Sequence, residues 1–194
     1  RNIYLKESSV EAQYQALQSQ LNPHFLFNSL NTLISEIGYN PENAILFTQN
    51  LSDVYRYILQ CQQQRLVTLG SELEFLDSYV FLHRVRLGDC ITVDCRLDES
   101  LLEYRLPPLT LQLLAENVIK HNIISLRQPM VLSLSSEDEN WLVVSNSVRP
   151  KKSVQPSGMG LKNLASRYRL VCGQEIIIEK TTELFTVKIP LLYE

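Results

Sequence analysis

Nowhere does the chain of 194 residues approach the roughly 18–20 uninterrupted apolar residues that a membrane-spanning helix requires, and no signal peptide is visible. Its four cysteines (Cys61, Cys90, Cys95, Cys172) form no Cys-x-x-Cys pair and have no histidine at ligand spacing. That argues against a zinc site or a disulfide framework and fits a reducing compartment. A basic excess is missing too. With 18 Lys and Arg against 21 Asp and Glu, the formal net charge is −3, so the positive stripe of a nucleic-acid binder is not expected. Internal repeats and low-complexity tracts are absent. What is there is ordinary globular composition, 45% hydrophobic and 20% charged. The length suits one sizeable domain, or a helical module followed by a compact α/β domain. The chain opens on Arg1 instead of a methionine, as an excised piece of a longer protein would, which leaves room for a membrane anchor upstream.

From about Ser9 to Ile37 the pattern is helical, with Leu26, Phe27, Leu30, Leu33, Ile34 and Ile37 recurring at three- and four-residue spacing. Gly38-Tyr39-Asn40-Pro41 is a stop-and-turn signal, and a second helical run follows to about Arg65. Two helices joined by so short a turn predict an antiparallel hairpin. It cannot bury both faces alone, so pairing into a four-helix bundle is expected. Ser71 and Glu74 form a capping-box pattern for a third helix towards Leu87. Alternation predicts a strand over Ile91–Leu97, and Pro107-Pro108 opens a helix up to about His121. Strands are expected at Met130–Ser135 and Trp141–Ser145, then a loop over Val148–Ser157 and a helix over Leu161–Val171. A hairpin of Glu175–Lys180 and Leu184–Pro190 closes the chain. The fold class is therefore α+β, a helical hairpin followed by an α+β unit that begins near Leu69.

Three motifs carry chemistry. In Leu21-Asn22-Pro23-His24-Phe25-Leu26-Phe27-Asn28-Ser29-Leu30-Asn31, a rotation of about 100° per residue puts His24, Asn28 and Asn31 on one stripe. That stripe lies about a third of a turn from the apolar centre, so His24 borders the bundle instead of being buried in it. An imidazole is a competent nucleophile near neutral pH and can form a phosphoramidate. Pro23 removes a backbone donor, which predicts a kink beside His24. On spacing alone an ordinary surface histidine is the plainer alternative. In the second motif Glu116, Asn117, Lys120 and His121 share one helix face opposite Leu111, Leu114, Ala115 and Val118. A carboxylate, an amide oxygen and an ammonium suit Mg²⁺ and phosphate, although a solvated face with a Glu116–Lys120 pair looks the same. The third, Ser157-Gly158-Met159-Gly160-Leu161-Lys162-Asn163, sets glycines directly before a helix. There the backbone can approach phosphate and free N–H groups face it.

The order of these motifs resembles the LytS-like class of sensor histidine kinases from about Gln15 to Pro190. The segment Leu17–Asn31 around His24 is its most specific element, and Pro107-Pro108-Leu109 leading to Gln112-Leu113-Leu114-Ala115-Glu116-Asn117 is nearly as characteristic. The resemblance implies a dimerisation and phosphoacceptor hairpin over 1–68. It also implies an ATP-binding catalytic domain over 69–194, a two-layer α/β sandwich of the GHKL (Bergerat) ATPase type. It implies transfer of the ATP γ-phosphoryl group to His24 and onward to an aspartate of a response regulator receiver domain, by a homodimer. Glu116 is then the candidate base or orienting group, and Asn117 holds Mg²⁺ against the phosphates of ATP. Lys120 and His121 neighbour the phosphates, Asn146 meets the adenine, and Gly158, Gly160, Leu161 and Asn163 form the triphosphate turn under a lid at Val148–Ser157. The expected setting is the cytoplasmic portion of an inner-membrane sensor, with membrane contact only through a segment outside this chain and no nucleic-acid partner.

Ser145-Asn146-Ser147-Val148 stands where the wider ATPase group carries Asp-x-Gly. Asn146 keeps a carbonyl acceptor for adenine but loses the charge, and Val148 disfavours positive φ, so the lid entrance must differ. Leu113 replaces an asparagine common in relatives, and Phe25 follows His24 where other kinase classes place an acid. A base at Glu116 must therefore come from the other domain. These departures keep open a degenerate kinase, a dimeric interaction module with weak or no ATP binding. An ATPase of the gyrase kind would have no need of the His24 helix. Lys151 and Lys152 are expected to be solvated loop lysines.

Overall fold

The structure, a computed structural model, describes residues 22–153 and 158–193. The expected helical stretch from Ser9 as far as residue 21 lies outside the described residues. Helix α1 (Pro23–Tyr39) opens on Pro23, whose missing N–H costs nothing at a first-turn position, while the Asn22 side chain accepts from the His24 N–H at 3.1 Å. Pro23 therefore starts this helix, and the kink expected beside His24 is replaced by a cap. α1 runs through Gly38. Asn40 makes the turn by itself, donating its N–H to Glu36 O and accepting from the Asn43 N–H to cap α2 (Pro41–Gln60). A single 3₁₀ turn, Cys61–Gln63, ends that helix before the expected Arg65.

α3 (Leu69–Leu87) starts two residues earlier than the Ser71 pattern suggested. Thr68 is its cap, accepting from the Ser71 N–H, and the Leu69 and Gly70 N–H groups donate to Tyr104 O and Leu102 O. A two-residue strand β1 (Val67–Thr68) brings those acceptors close by pairing antiparallel with β3 (Arg105–Leu106). Between them lies β2 (Ile91–Arg96), and the remaining elements are α4 (Thr110–His121), β4 (Met130–Glu137), β5 (Trp141–Ser147), α5 (Met159–Cys172), β6 (Ile177–Lys180) and β7 (Leu184–Pro190). Five strands form one sheet in the order β2-β4-β5-β7-β6, with β2–β4 parallel and the other pairs antiparallel. The register aligns Leu134 with Val144 and Val144 with Val187, all buried, so one face of the sheet is apolar across three strands. Leu76, Val80, Leu111, Leu114, Leu164 and Tyr168 from α3, α4 and α5 join the same core cluster. The result is the expected α+β architecture, a helical hairpin and then a two-layer helix-on-sheet sandwich.

α3 is apolar on both sides because both sides are covered. In its first turn Glu72 is fully buried, and its carboxylate accepts from the Tyr57 hydroxyl of α2 at 2.5 Å and from the Leu109 and Leu111 N–H groups at 3.2 and 3.3 Å. Leu109 holds a left-handed conformation, φ 63°, after the two prolines, which turns its N–H and the start of α4 towards that carboxylate. Burial pushes the Glu72 carboxyl upward, opposed by these donors. Tyr57→Phe should leave the buried carboxylate one donor short and cost about 1–3 kcal/mol. Urea denaturation at fixed protein concentration would read this as a lowered midpoint, and an unchanged midpoint would remove Tyr57 from the packing account.

Candidate functional site

Phe25 fixes the angular position of α1. Its ring packs against Tyr79 (5.6 Å between centroids) and His83 (5.7 Å) of α3, with Tyr55 of α2 at 6.4 Å. His24, one residue earlier, is turned outward, is exposed, and has Asn28 Nδ2 at 3.3 Å from its Nδ1. The predicted His24–Asn28 stripe thus exists as a one-turn contact, and Asn31 is exposed further along.

His24 opens on a cavity of about 430 Å³ that lies between the hairpin and α4. Glu116, Lys120 and Gln112 of α4 line one wall, Tyr79, His83 and Arg86 of α3 another, and Lys151 closes a third side. His24, Glu116 and Lys120 were all predicted site residues, and here they share one space. Burial raises the Glu116 carboxyl above the ordinary carboxylate range, with the Lys120 charge pulling it partly back. Tyr79 is pushed upward by burial and then by the Glu116 charge, while a Gln112 hydrogen bond and the Arg86 charge act in the opposite sense. Its hydroxyl therefore lies within the fields of both the carboxylate and the guanidinium.

The C-terminal end of α4 is zipped to the first part of the predicted lid. Ile123 N–H donates to Arg149 O at 2.7 Å, Arg149 N–H to Asn122 Oδ1 at 2.8 Å, and Lys151 N–H to His121 O at 3.1 Å. Lys151 is not the solvated lysine expected. Its ammonium donates to Ile119 O at 3.0 Å, among the last carbonyls of α4, where a cation is favoured. Lys152 is exposed, as expected. Burial, then the charges of Lys120, Lys151 and Lys180, hold His121 below its ordinary imidazole value. Those three cations mark out a positive field at this end of α4.

The other predicted residues lie apart from the cavity. Asn117 is half-buried on α4. Asn146 is buried on β5 and donates through Nδ2 to its neighbour's carbonyl, Ser147 O, at 2.8 Å. Val148 avoids positive φ and instead donates its N–H to Glu183 O. Gly158 does adopt positive φ (61°) as the residue before α5, where a side chain would be strained. Gly160 faces Leu113 of α4, Leu161 is half-buried against the core, and Asn163 is exposed. A larger open groove of about 980 Å³, lined by Asp53, Arg56, Gln60, Arg65 and Glu74, contains none of the predicted residues. No group of three His, Cys, Asp or Glu side chains that could hold a metal gathers among the described residues.

Sequence reasoning missed Tyr79, His83 and Arg86, which line the same cavity as His24. Their spacing of four and three residues, one helical face, is the signal that could have found them. Because a guanidinium can only donate, the contact of Arg86 Nη2 with His83 Nδ1 at 3.2 Å assigns the ring proton to Nε2. That Nε2 is buried without a hydrogen-bond partner among the described residues.

A profile of the family described as Histidine kinase matches residues 12–91. The chain is 33% identical over 130 residues to Sensor protein LytS of Staphylococcus haemolyticus (strain JCSC1435), covering 67% of this chain and 22% of that protein. It is 32% identical over 189 residues to Sensor histidine kinase YpdA of Escherichia coli (strain K12), covering 91% and 33%. This chain thus spans a third or less of the length of these two curated relatives. Among solved structures it is similar to Acinetobacter baumannii histidine kinase AdeS, with a TM-score of 0.44, 16% identity, and coverage of 94% and 97%.

Burial and the Arg86 charge push His83 down to about 3, so the ring is neutral in the folded protein and protonatable once unfolded. A depressed folded value gives stability that is present above the ordinary imidazole range and is lost as pH falls towards 3. The slope from this one group approaches about 1.4 kcal/mol per pH unit between those limits. Denaturation midpoints of His83→Phe should fall less steeply between pH 6.5 and 4 than those of the wild type, and parallel curves would refute a buried neutral ring.

Proposed function

The chain belongs to the LytS-like sensor histidine kinases, and from that premise we propose that it phosphorylates itself on His24 from Mg-ATP and passes the phosphoryl group to an aspartate of a response regulator. The observation that carries this reading is that His24 and Glu116, from different parts of the chain, open on one cavity. The transfer needs a nucleophile, a proton acceptor and positive charge around the moving phosphoryl group. In the proposed step a ring nitrogen of His24 attacks the γ-phosphorus, and the bond to the bridging oxygen breaks with its electron pair leaving on ADP. The proton of the other ring nitrogen goes to Glu116, whose raised affinity suits a base.

The proposed division is a phosphoacceptor hairpin over 1–68 and an ATP-binding unit over 69–194. In the latter Lys120 and His121 border the phosphates, the Gly158–Asn163 turn cradles them, and the buried Asn146 offers its amide oxygen to adenine. Mg²⁺ keeps most of its ligands from phosphate and water, so one amide oxygen from Asn117 suits an ion that arrives on the triphosphate and shields its charge. The outward face of the hairpin is apolar and uncovered, with Phe27 65%, Ile34 68% and Ile37 57% exposed. A stripe of that kind supports homodimerisation into a four-helix bundle. No helix among the described residues is long and apolar enough to cross a membrane. The proposed setting is the cytoplasmic side of an inner-membrane sensor, anchored through a segment outside this chain.

A second reading, a dimeric interaction module that binds ATP weakly, draws on Asn146-Ser147-Val148. There the side-chain amide is tied to its neighbour and Val148 to Glu183. Calorimetric titration with Mg-ATP separates the two readings, since heat that saturates supports the kinase and its absence supports the module. Incubated with Mg-ATP, the dimer should gain acid-labile, base-stable phosphate, and His24→Gln should abolish it while nucleotide binding survives. Phosphate on the variant would move the acceptor elsewhere. Ile34→Glu should turn the chain monomeric in sedimentation while its helical circular dichroism persists, and a persisting dimer would place the interface on another face.

A further inference from the structure

Among the residues missed in the sequence, Arg86 has no acidic partner among the described residues to account for its charge. It lies in the last turn of α3, where a cation favours the helix dipole. Yet Arg84 already serves this end, donating to Ile91 O at 2.8 Å while its own carbonyl accepts from the Gly88 N–H. No ion pair among the described residues involves Arg86. Its guanidinium rests instead on the buried His83 ring and faces two recesses: the His24 cavity, and a small pocket lined by Phe25, Asn28 and Ser29 of α1. Both recesses border the helix that carries His24. Tyr79, on the same face of α3 and in the same lining, is within reach of both the Glu116 and the Arg86 charge, which shift its hydroxyl in opposite senses.

The cavity is therefore polarised. Lys120 and Lys151 stand on the α4 side, Arg86 stands on the α3 side beside the His24 helix, and Glu116 is the carboxylate in the lining. A phosphoryl group delivered from the α4 side to His24 moves away from the two lysines. Charge on the product side must then come from another element, and Arg86 is the cation present there. A guanidinium offers several donors in a planar fork that matches phosphoryl oxygens.

We propose that Arg86, seated on His83, holds the phosphoryl group as it arrives on His24 and while it stays there. This rests on the reading of His24 as phosphoacceptor. The step is unchanged in its balance: the P–N bond to His24 forms, the bond to the bridging oxygen breaks with its electron pair on ADP, and the ring proton goes to Glu116. Arg86 exchanges no proton and contributes donors to the phosphoryl oxygens. His83 is a positioning residue, since it acts through the guanidinium.

The test is the rate of autophosphorylation of the 194-residue chain with Mg-ATP over a range of ATP concentrations, with His24→Gln as the blank. Arg86→Gln keeps a donor for His83 but loses the charge, and Arg86→Lys keeps the charge. The glutamine variant should lose at least tenfold in maximal rate with an unchanged ATP concentration at half-rate, and its isolated phosphorylated form should lose phosphate faster to added ADP. The lysine variant should recover part of both. A glutamine variant within twofold of the wild type, while His24→Gln stays blank, overturns the role of Arg86 alone. A loss confined to ATP affinity also overturns it by placing the residue at the nucleotide. Absence of phosphate on the wild type overturns the parent reading, and this inference with it. If Arg86→Gln does not fold, a lysine variant that folds but turns over no faster than the His24→Gln blank overturns the role of the charge.

Discussion

The position of α4 relative to the hairpin rests on one buried carboxylate. Glu72 leaves water entirely, an expensive transfer unless every lone pair finds a donor. The donors come from two other helices: the Tyr57 hydroxyl of α2, and the Leu109 and Leu111 N–H groups at the start of α4. Those N–H groups would otherwise be unpaired, because a helix start has no carbonyl preceding it, and they carry the positive end of the α4 dipole. Neither α2 nor α4 can slide along α3 without breaking a hydrogen bond in an apolar interior. Arg167 of α5 adds a further tie to the same corner, donating to Pro108 O at 2.8 Å.

α3 carries that constraint to the other end of the site. From Glu72 the same helix runs through Tyr79 and His83 to Arg86. The first fixes α4, the middle two receive Phe25, and the last borders the cavity. The hairpin is thus located against the helix that also locates Glu116, and the distance between His24 and Glu116 is set through a rigid intermediary instead of a loop. The electrostatics follow from the same packing. His83 is kept neutral because it lies between aromatic rings and a guanidinium, so no second cation competes with Arg86 in that wall.

Much of this was legible from residue order. The hairpin, the sheet strands and the helix that places Glu116 and Lys120 one turn apart on one wall of the cavity are local patterns of period 3.6 or 2, and local patterns survive folding. Three features were not legible, each for a nonlocal reason. Ser71, with Glu74, is the stronger cap by composition, and the choice fell to Thr68 because Tyr104 and Leu102, distant in sequence, supply acceptors for the first two N–H groups. The strands that arrange this are two residues each, too short to show a period. Lys151 reads as a loop lysine until the strap folds back along α4 and its ammonium meets Ile119 O. Arg86 was hidden differently, since a basic residue in the last turn of a helix has an ordinary explanation until its neighbours are seen.

The placement of His24 also follows from a division of α1 into three sides. Phe25, Ser29, Thr32, Leu33 and Glu36 turn towards α2 and α3, whereas Phe27, Leu30, Ile34 and Ile37 form the exposed apolar side. At about 100° per residue these two stripes are centred roughly 130° apart. His24, Asn28 and Asn31 occupy the remaining sector, about a third of a turn from either one. The helix has no freedom to change this arrangement. Rotation in either direction would withdraw Phe25 from Tyr79 and His83 or drive polar groups into an apolar contact, and both costs grow with angle. A histidine on the inner stripe would be buried like His83, and one on the outer stripe, where Phe27, Ile34 and Ile37 are exposed, would face away from the cavity. The sector between them is the only side of this helix on which an imidazole can stay exposed while lining the cavity that Glu116 enters from α4.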